Sequence, residues 1–281
     1  MRTKQLLLAL LLSLIGIHVA EAESYTPVKG GKIVTDDGIY IVTGDNIIPN
    51  SDFSNGLTGW KAGDNSDLSA DNFEIIPDGG PDGGPCIHAL GGAGSSSNQT
   101  IKTGWAIEIG KTYVFTVWAY RTQSGMSSNT QYSQIWQSNS ETEANTEIGK
   151  ITFKGDTWVQ SQFVFTADKP YFVTKSAWLN QASSFAHFFL AKVEKSNELV
   201  TTSLEASIAT AQETLDTTEE GDEKGQYTTA VRKTLSDAIA AAKNVLDTAT
   251  TQDEINDAKK ALDTAVKTYT ASMNPPFKLG V

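Results

Sequence analysis

Residues 112–121 read TYVFTVWAYR. In an extended chain successive side chains alternate sides, so Tyr113, Phe115, Val117 and Ala119 share one face and Val114, Thr116, Trp118 and Tyr120 the other. Both faces are largely apolar, as in a strand buried inside a sheet, and this reading makes Trp118 and Tyr120 packing residues. The stretches around it have the same character. Lys32–Thr35 and Ile39–Thr43 flank Asp36-Asp37-Gly38, a hairpin turn signal. Further strands are predicted over 129–137, 158–166, 171–180 and 185–194. Turns rich in Gly, Asn, Ser and Asp separate them, with no helical crossover between them. That pattern predicts an all-β antiparallel sandwich. The Gly-rich run PDGGPDGGP (residues 77–85) is a loop.

The period changes near residue 200. Leu204, Ile208, Ala211 and Leu215 recur at three- and four-residue spacing, as do Leu235, Ala238, Ile239, Ala242 and Leu246, and then Ile255, Ala258, Leu262, Ala265, Val266 and Tyr269. Each series is one apolar stripe of a helix, and three such stripes bury one another in a small bundle. Thr202 with Glu205, and Thr251 with Glu254, have the spacing of capping boxes. Gly221 and Gly225 are expected to end the first helix, and Pro275-Pro276 the last. The expected division is therefore an N-terminal extension with a short hairpin (23–44), a jelly-roll sandwich (45–197), a separate three-helix domain (201–273) and a tail (274–281).

Composition limits the function. The 281 residues carry a formal net charge of -11, which opposes approach to nucleic acid. One cysteine excludes an intramolecular disulfide and a thiolate zinc cage. Residues 1–22 read as a signal peptide: Arg2 and Lys4, an apolar core, then Ala20-Glu21-Ala22. Export follows as an expectation, to the periplasm, the cell surface or the medium. No later stretch is long and apolar enough for a transmembrane segment.

Two resemblances sharpen these expectations. Residues 46–60, NIIPNSDFSNGLTGW, look like the opening strand of the family 4/9/22-type carbohydrate-binding modules, which have a galactose-binding-like jelly roll. The resemblance continues through Gly110–Tyr113, Asp156–Trp158, Phe163–Ala167 and the closing stretch 185–194. It implies a poly- or oligosaccharide as partner. Closing strands of such modules often carry an Asp pair that helps hold a structural calcium; here the stretch is Phe185-Ala186-His187-Phe188-Phe189. Asn50 and Asp52 can supply two oxygens of the 6–8 that calcium takes, and no other cofactor is expected. The helical part resembles the FIVAR-type modules, which implies a spacer or docking surface, with other cell-surface proteins as conceivable partners. The whole chain looks like an exported bacterial protein of polysaccharide utilisation.

Sugar rings have apolar faces that stack on aromatic rings and hydroxyl rims that need side chains able to donate and accept. Tyr132, Gln134 and Trp136 share one strand face, and a core face would not hold a Gln. Trp178, with Thr174, Ser176 and Asn180, makes a second such face, and Gln160 and Gln162 are assigned to the same surface. Trp136 and Trp178 are either a stacking platform or core residues. Trp60 and Trp158 read as packing; Trp105 follows Thr103-Gly104 in a turn and stays open. His88 and His187 read as structural histidines and Cys86 as a buried free thiol. Glu141, Glu143 and Glu147 read as a solvated loop. The leading expectation is a non-catalytic glycan-binding protein. The alternatives are a structural or adhesive surface protein that binds a protein partner, and a small glycan hydrolase or lyase.

Overall fold

The computed structural model describes residues 25–90, 100–121, 133–153, 156–175 and 183–274. The expected signal peptide and the residues after 274 lie outside them. The described strands are β1 (Lys32–Thr35), β2 (Gly38–Val42), β3 (Phe73–Ile76), β4 (Cys86–Ala89), β5 (Lys102–Ala106), β6 (Thr112–Arg121), β7 (Ser133–Ser138), β8 (Thr146–Ile151), β9 (Val159–Thr166), β10 (Tyr171–Lys175) and β11 (Ser183–Lys195). The helices are α1 (Thr202–Asp216), α2 (Thr229–Thr248) and α3 (Gln252–Ala271). The described residues divide into two compact units: 25–28 with 45–191, and 29–44 with 192–274.

The first unit is a β-sandwich. In one sheet β3 pairs with β4, β4 with β11, β11 with β6 and β6 with β9; the other has the order β5-β10-β7-β8. The alternation in 112–121 sets the core. Tyr113, Phe115, Val117 and Ala119 are all buried, and Phe115 meets Phe172 of β10 across the sandwich with ring centroids 4.8 Å apart. Ile87, Ile135, Phe185 and Leu190 complete the interior. The opening loop closes on Trp60, which is 1% exposed, and its Nε1 donates to the carbonyl of Asn50 at 3.1 Å. Phe53, Trp105 and Phe188 surround that indole at centroid distances of 4.7–5.5 Å.

Trp118 is not in the core. It is half-buried on the opposite face of β6, where Tyr25 covers it at 5.1 Å and accepts its indole N–H through the main-chain carbonyl at 2.9 Å. Tyr120, also half-buried, packs against Trp158 at 5.5 Å. A strand apolar on both faces thus meets the hydrophobic interior on one side and an added segment on the other.

The second unit holds the β1–β2 hairpin and a three-helix bundle. The hairpin turns on Asp36-Asp37, with Thr35 paired to Gly38, whose φ of +141° is the region that favours glycine. Asp37 accepts from the Tyr40 hydroxyl at 2.7 Å and from Thr35. Those two hydrogen bonds hold its carboxyl below the usual range, and burial with the nearby Asp37 charge pushes the Tyr40 phenol up to about 12. In the bundle Leu204, Ile208, Ala211, Leu235, Ile239, Ala242, Ile255, Leu262 and Tyr269 form one buried cluster, so the three periodic stripes meet as the sequence predicts.

The helix ends correct two expectations. Thr202 is the first residue of α1 rather than its cap, and the cap position, Thr201, makes no side-chain bond. α1 stops at Asp216, before Gly221. α3 does begin with the Thr251–Glu254 box, each side chain bonding the other residue's main chain. Thr251→Ala removes half of that exchange, and we expect a loss of about 1 kcal/mol from the bundle, read as a lower denaturation midpoint of the helical circular dichroism.

Candidate functional site

The outer face of the four-stranded sheet is built by register. Lys102, Lys175, Gln134 and Lys150 lie in one row across β5, β10, β7 and β8, and Gly104, Val173, Trp136 and Glu147 in the next. Ile135, between Gln134 and Trp136, is fully buried in the core, so the amide and the indole point away from it. Gln134 donates to the Glu147 carboxylate, and Lys150 lies 3.8 Å from the same group. The Lys102 ammonium lies below the ordinary lysine range because burial, and then the Lys175 charge, disfavour its protonated form.

A loop crosses this face. A Cβ on Gly104 would stand 2.3 Å from the Glu141 carbonyl oxygen and 2.7 Å from the Glu141 Cα. Only glycine admits that approach. Val173 beside it is fully buried although it lies on the outer side. The loop is stiffened by Asn145, whose side-chain oxygen accepts from Ser138 Oγ at 2.7 Å and from the Asn139 N–H at 2.9 Å. Trp136 is half-buried under these conditions. Its Nε1 is enclosed and has no acceptor among the described residues.

The structure divides the surface expected from sequence. Gln134 and Trp136 lie together on β7, whereas exposed Gln160 and Gln162 lie on β9 in the other sheet, opposite Trp118 and Thr116 of β6. Their parity reads alike in the sequence, but β9 pairs with β6 and not with β7, so they belong to the other outer face. Tyr132, Trp178 and Asn180 lie outside the described residues.

Asn50 and Asp52 shape the opening loop. Asn50 Nδ2 donates to the carbonyls of Gly56 and Thr58, its Oδ1 accepts from the Asn55 N–H, and Asp52 Oδ1 accepts from the N–H and hydroxyl of Ser54. Those bonds hold the Asp52 carboxyl below the usual range. Among the described residues no three His, Cys, Asp or Glu side chains are grouped as metal ligands.

Other candidates resolve individually. Glu147 belongs to β8, not to a loop, and Trp105 belongs to β5 and packs on Trp60 and Phe172. Cys86 is a buried free thiol, raised above the usual thiol range by burial. His88 Nδ1 meets Ser184 Oγ at 2.8 Å. His187 has a φ of +53°; its Nδ1 meets Thr26 Oγ1 at 2.8 Å, and its Nε2 is 3.0 Å from Asp82 Oδ1, an ion-pair distance outside hydrogen-bond alignment. Lys102 and Gly104 were not anticipated, because the short β5 carries no alternating apolar signal; Lys175 lies in a predicted strand but joins this face only through the pairing of β10 with β5 and β7.

No curated protein matches the chain. Among solved structures it is similar to a family 16 carbohydrate-binding module (21% identity, 52% of this chain and 99% of that one, TM-score 0.38). It is also similar to the CBM22-1 xylan-binding domain of Paenibacillus barcinonensis Xyn10C (10% identity, 54% and 97%, TM-score 0.37) and to TmCBM61 in complex with β-1,4-galactotriose (10% identity, 52% and 98%, TM-score 0.36). Residues 45–177, most of the sandwich, match the family model described as a carbohydrate binding domain.

Proposed function

We propose that this protein is an exported, non-catalytic carbohydrate-binding protein. Its sandwich takes a poly- or oligosaccharide on the outer face of β5-β10-β7-β8, and its helical bundle serves as a spacer or docking module. The observation that carries this reading is the pairing of Trp136 with Gln134 on the non-core face of a domain that matches a carbohydrate-binding family. The indole offers an apolar ring for a sugar face. Gln134, Glu147, Lys150 and Lys175 offer donors and acceptors for the hydroxyl rim. Each such hydrogen bond replaces one to water, so the net gain per contact is about 0.5–1.5 kcal/mol and affinity is modest.

The test is affinity electrophoresis of the chain from Glu23 onward in gels containing xylan, β-1,4-galactan, β-glucan or mannan. We expect retardation in one of them, weakened about tenfold by Trp136→Ala, a loss near the 1.4 kcal/mol that a factor of ten represents. Trp178→Ala tests the second indole. A folded protein retarded by none of these glycans would overturn the reading. Unchanged retardation in Trp136→Ala would move the site off this face.

A further inference from the structure

The second unit contains a groove of about 690 Å³, lined from the β1–β2 hairpin, the start of α1 and one side of α3. Its lining has no aromatic ring. Hydroxyls and amides dominate it, including Thr35, Ser203, Asn256 and Thr264, together with Lys259, Lys260 and Lys267. Three lysines in one groove run against the charge of the chain, -11 overall.

The two carboxylates in the lining do not cancel them alike. Asp263 is held by Lys259 at 2.7 Å. Asp36 lies at the hairpin end, where its carbonyl accepts from Asn256 Nδ2 at 2.9 Å and ties the turn to α3. Lys260 and Lys267 make no ion pair within 4.0 Å among the described residues, and both are exposed, although the Asp263 carboxylate one turn before Lys267 feels its charge as well as that of Lys259. They stand seven residues apart, two turns and about 10 Å along one helix face. The groove continues past Lys267 into a second depression of about 540 Å³ along Ser203, Ala206, Ser207, Thr210 and Val266.

From this arrangement we propose that the groove binds an acidic oligosaccharide, with Lys260 and Lys267 each meeting an anionic substituent and the hydroxyl and amide side chains meeting the ring hydroxyls. The volume suits a few sugar units. Two cations spaced along a helix favour repeated charges over a single one. With no ring to stack on, this site selects by charge, unlike the face that carries Trp136. The protein then has two glycan contacts of different chemistry. This inference needs only the groove and stands whether or not the sandwich binds sugar.

The anion can be a carboxylate or a sulfate ester, and the experiment separates them. The full chain is titrated with tri- and tetragalacturonate, with a chondroitin sulfate tetrasaccharide, with neutral xylotetraose and with tetraglutamate, following backbone amide shifts by NMR. We expect shifts at Asn256, Lys260, Thr264 and Lys267 with one of the two acidic sugars, weakening as salt rises because the charges lie at the surface. In Lys260→Glu/Lys267→Glu the shifts should fall at least tenfold at matched concentration, with helical circular dichroism unchanged. Lys260→Gln/Lys267→Gln checks that the effect is loss of charge rather than new repulsion. Absence of groove shifts with both acidic sugars at millimolar concentration would overturn the proposal. So would equal response to xylotetraose or tetraglutamate, or binding that survives in both double variants. Trp136→Ala should leave these shifts in place.

Discussion

Trp60→Ala should lower the stability of the sandwich by about 3–5 kcal/mol, the range for removing a large buried aromatic ring. Trp60 is 1% exposed and touches Phe53, Trp105 and Phe188, so the cavity left behind opens at the junction of the opening loop, β5 and β11. The side chain also donates to the Asn50 carbonyl, and Asn50 in turn holds the loop through Gly56, Thr58 and Asn55. Losing the indole therefore removes both the packing and the anchor of that loop. For a domain of this size each kcal/mol is worth about 2–4 °C, so the midpoint should fall by roughly 6–20 °C. The near-ultraviolet indole signal reports on the sandwich, since all six Trp lie between residues 60 and 178, while the helical signal at 222 nm should melt where it did before. Trp60→Phe, which keeps a ring but loses the donor, should cost distinctly less. A shift of Trp60→Ala below about 1 kcal/mol would show that the opening loop is not part of the core.

What the sequence reveals and what it conceals divide on a physical line. β6 is legible as a strand because ten residues run apolar on both faces, but which face meets the core is not, and Trp118 lies off it. The helical stripes are legible for the same reason: each burial at Leu204, Leu235 and Leu262 follows from periodicity within one segment. β5 and β8 are not, since KTGWA and TEIGKI contain a glycine each and too few apolar residues to show a period of two. Those two strands border the candidate face, so half of its framework escapes a reading by pattern. Strand pairing is concealed as well. Gln160 and Gln162 have the same alternating look as Gln134, yet they lie on the other sheet, because pairing depends on chain topology and not on local parity. For Trp136 the sequence leaves platform and core both open, with Gln134 beside it the one signal for the outer face on which the strand places it. The close approach of the Glu141 loop to the sheet is not legible, because it depends on one glycine in another strand, Gly104.

That glycine gives a test in which the sign of the effect decides. Gly104→Ala adds a single carbon. If the loop carrying Glu141 were not seated on β5, the substitution would stabilise the sandwich by about 0.4–1 kcal/mol, since alanine has fewer unfolded conformations to lose. With the loop seated, the new Cβ would meet the Glu141 carbonyl oxygen at 2.3 Å and its Cα at 2.7 Å. Both are main-chain atoms, so no rotamer change relieves the contact. The loop must move or the strand must bend, and forced overpacking of this kind costs about 1–3 kcal/mol. We therefore expect a net loss of stability in urea unfolding. A second consequence follows from what the loop covers. Val173, paired with Gly104, is fully buried, and Trp136, paired with Val173, is half-buried, so a loop lifted from Gly104 should leave both more accessible. Trp136 then becomes the reporter: acrylamide should quench Gly104→Ala more strongly than the parent, and the extra quenching should vanish in Gly104→Ala/Trp136→Phe. Glycan retardation should weaken in the same variant, because a displaced loop no longer frames the indole. A more stable Gly104→Ala with unchanged quenching would show that the loop stands clear of the sheet and that the face beside Trp136 is open.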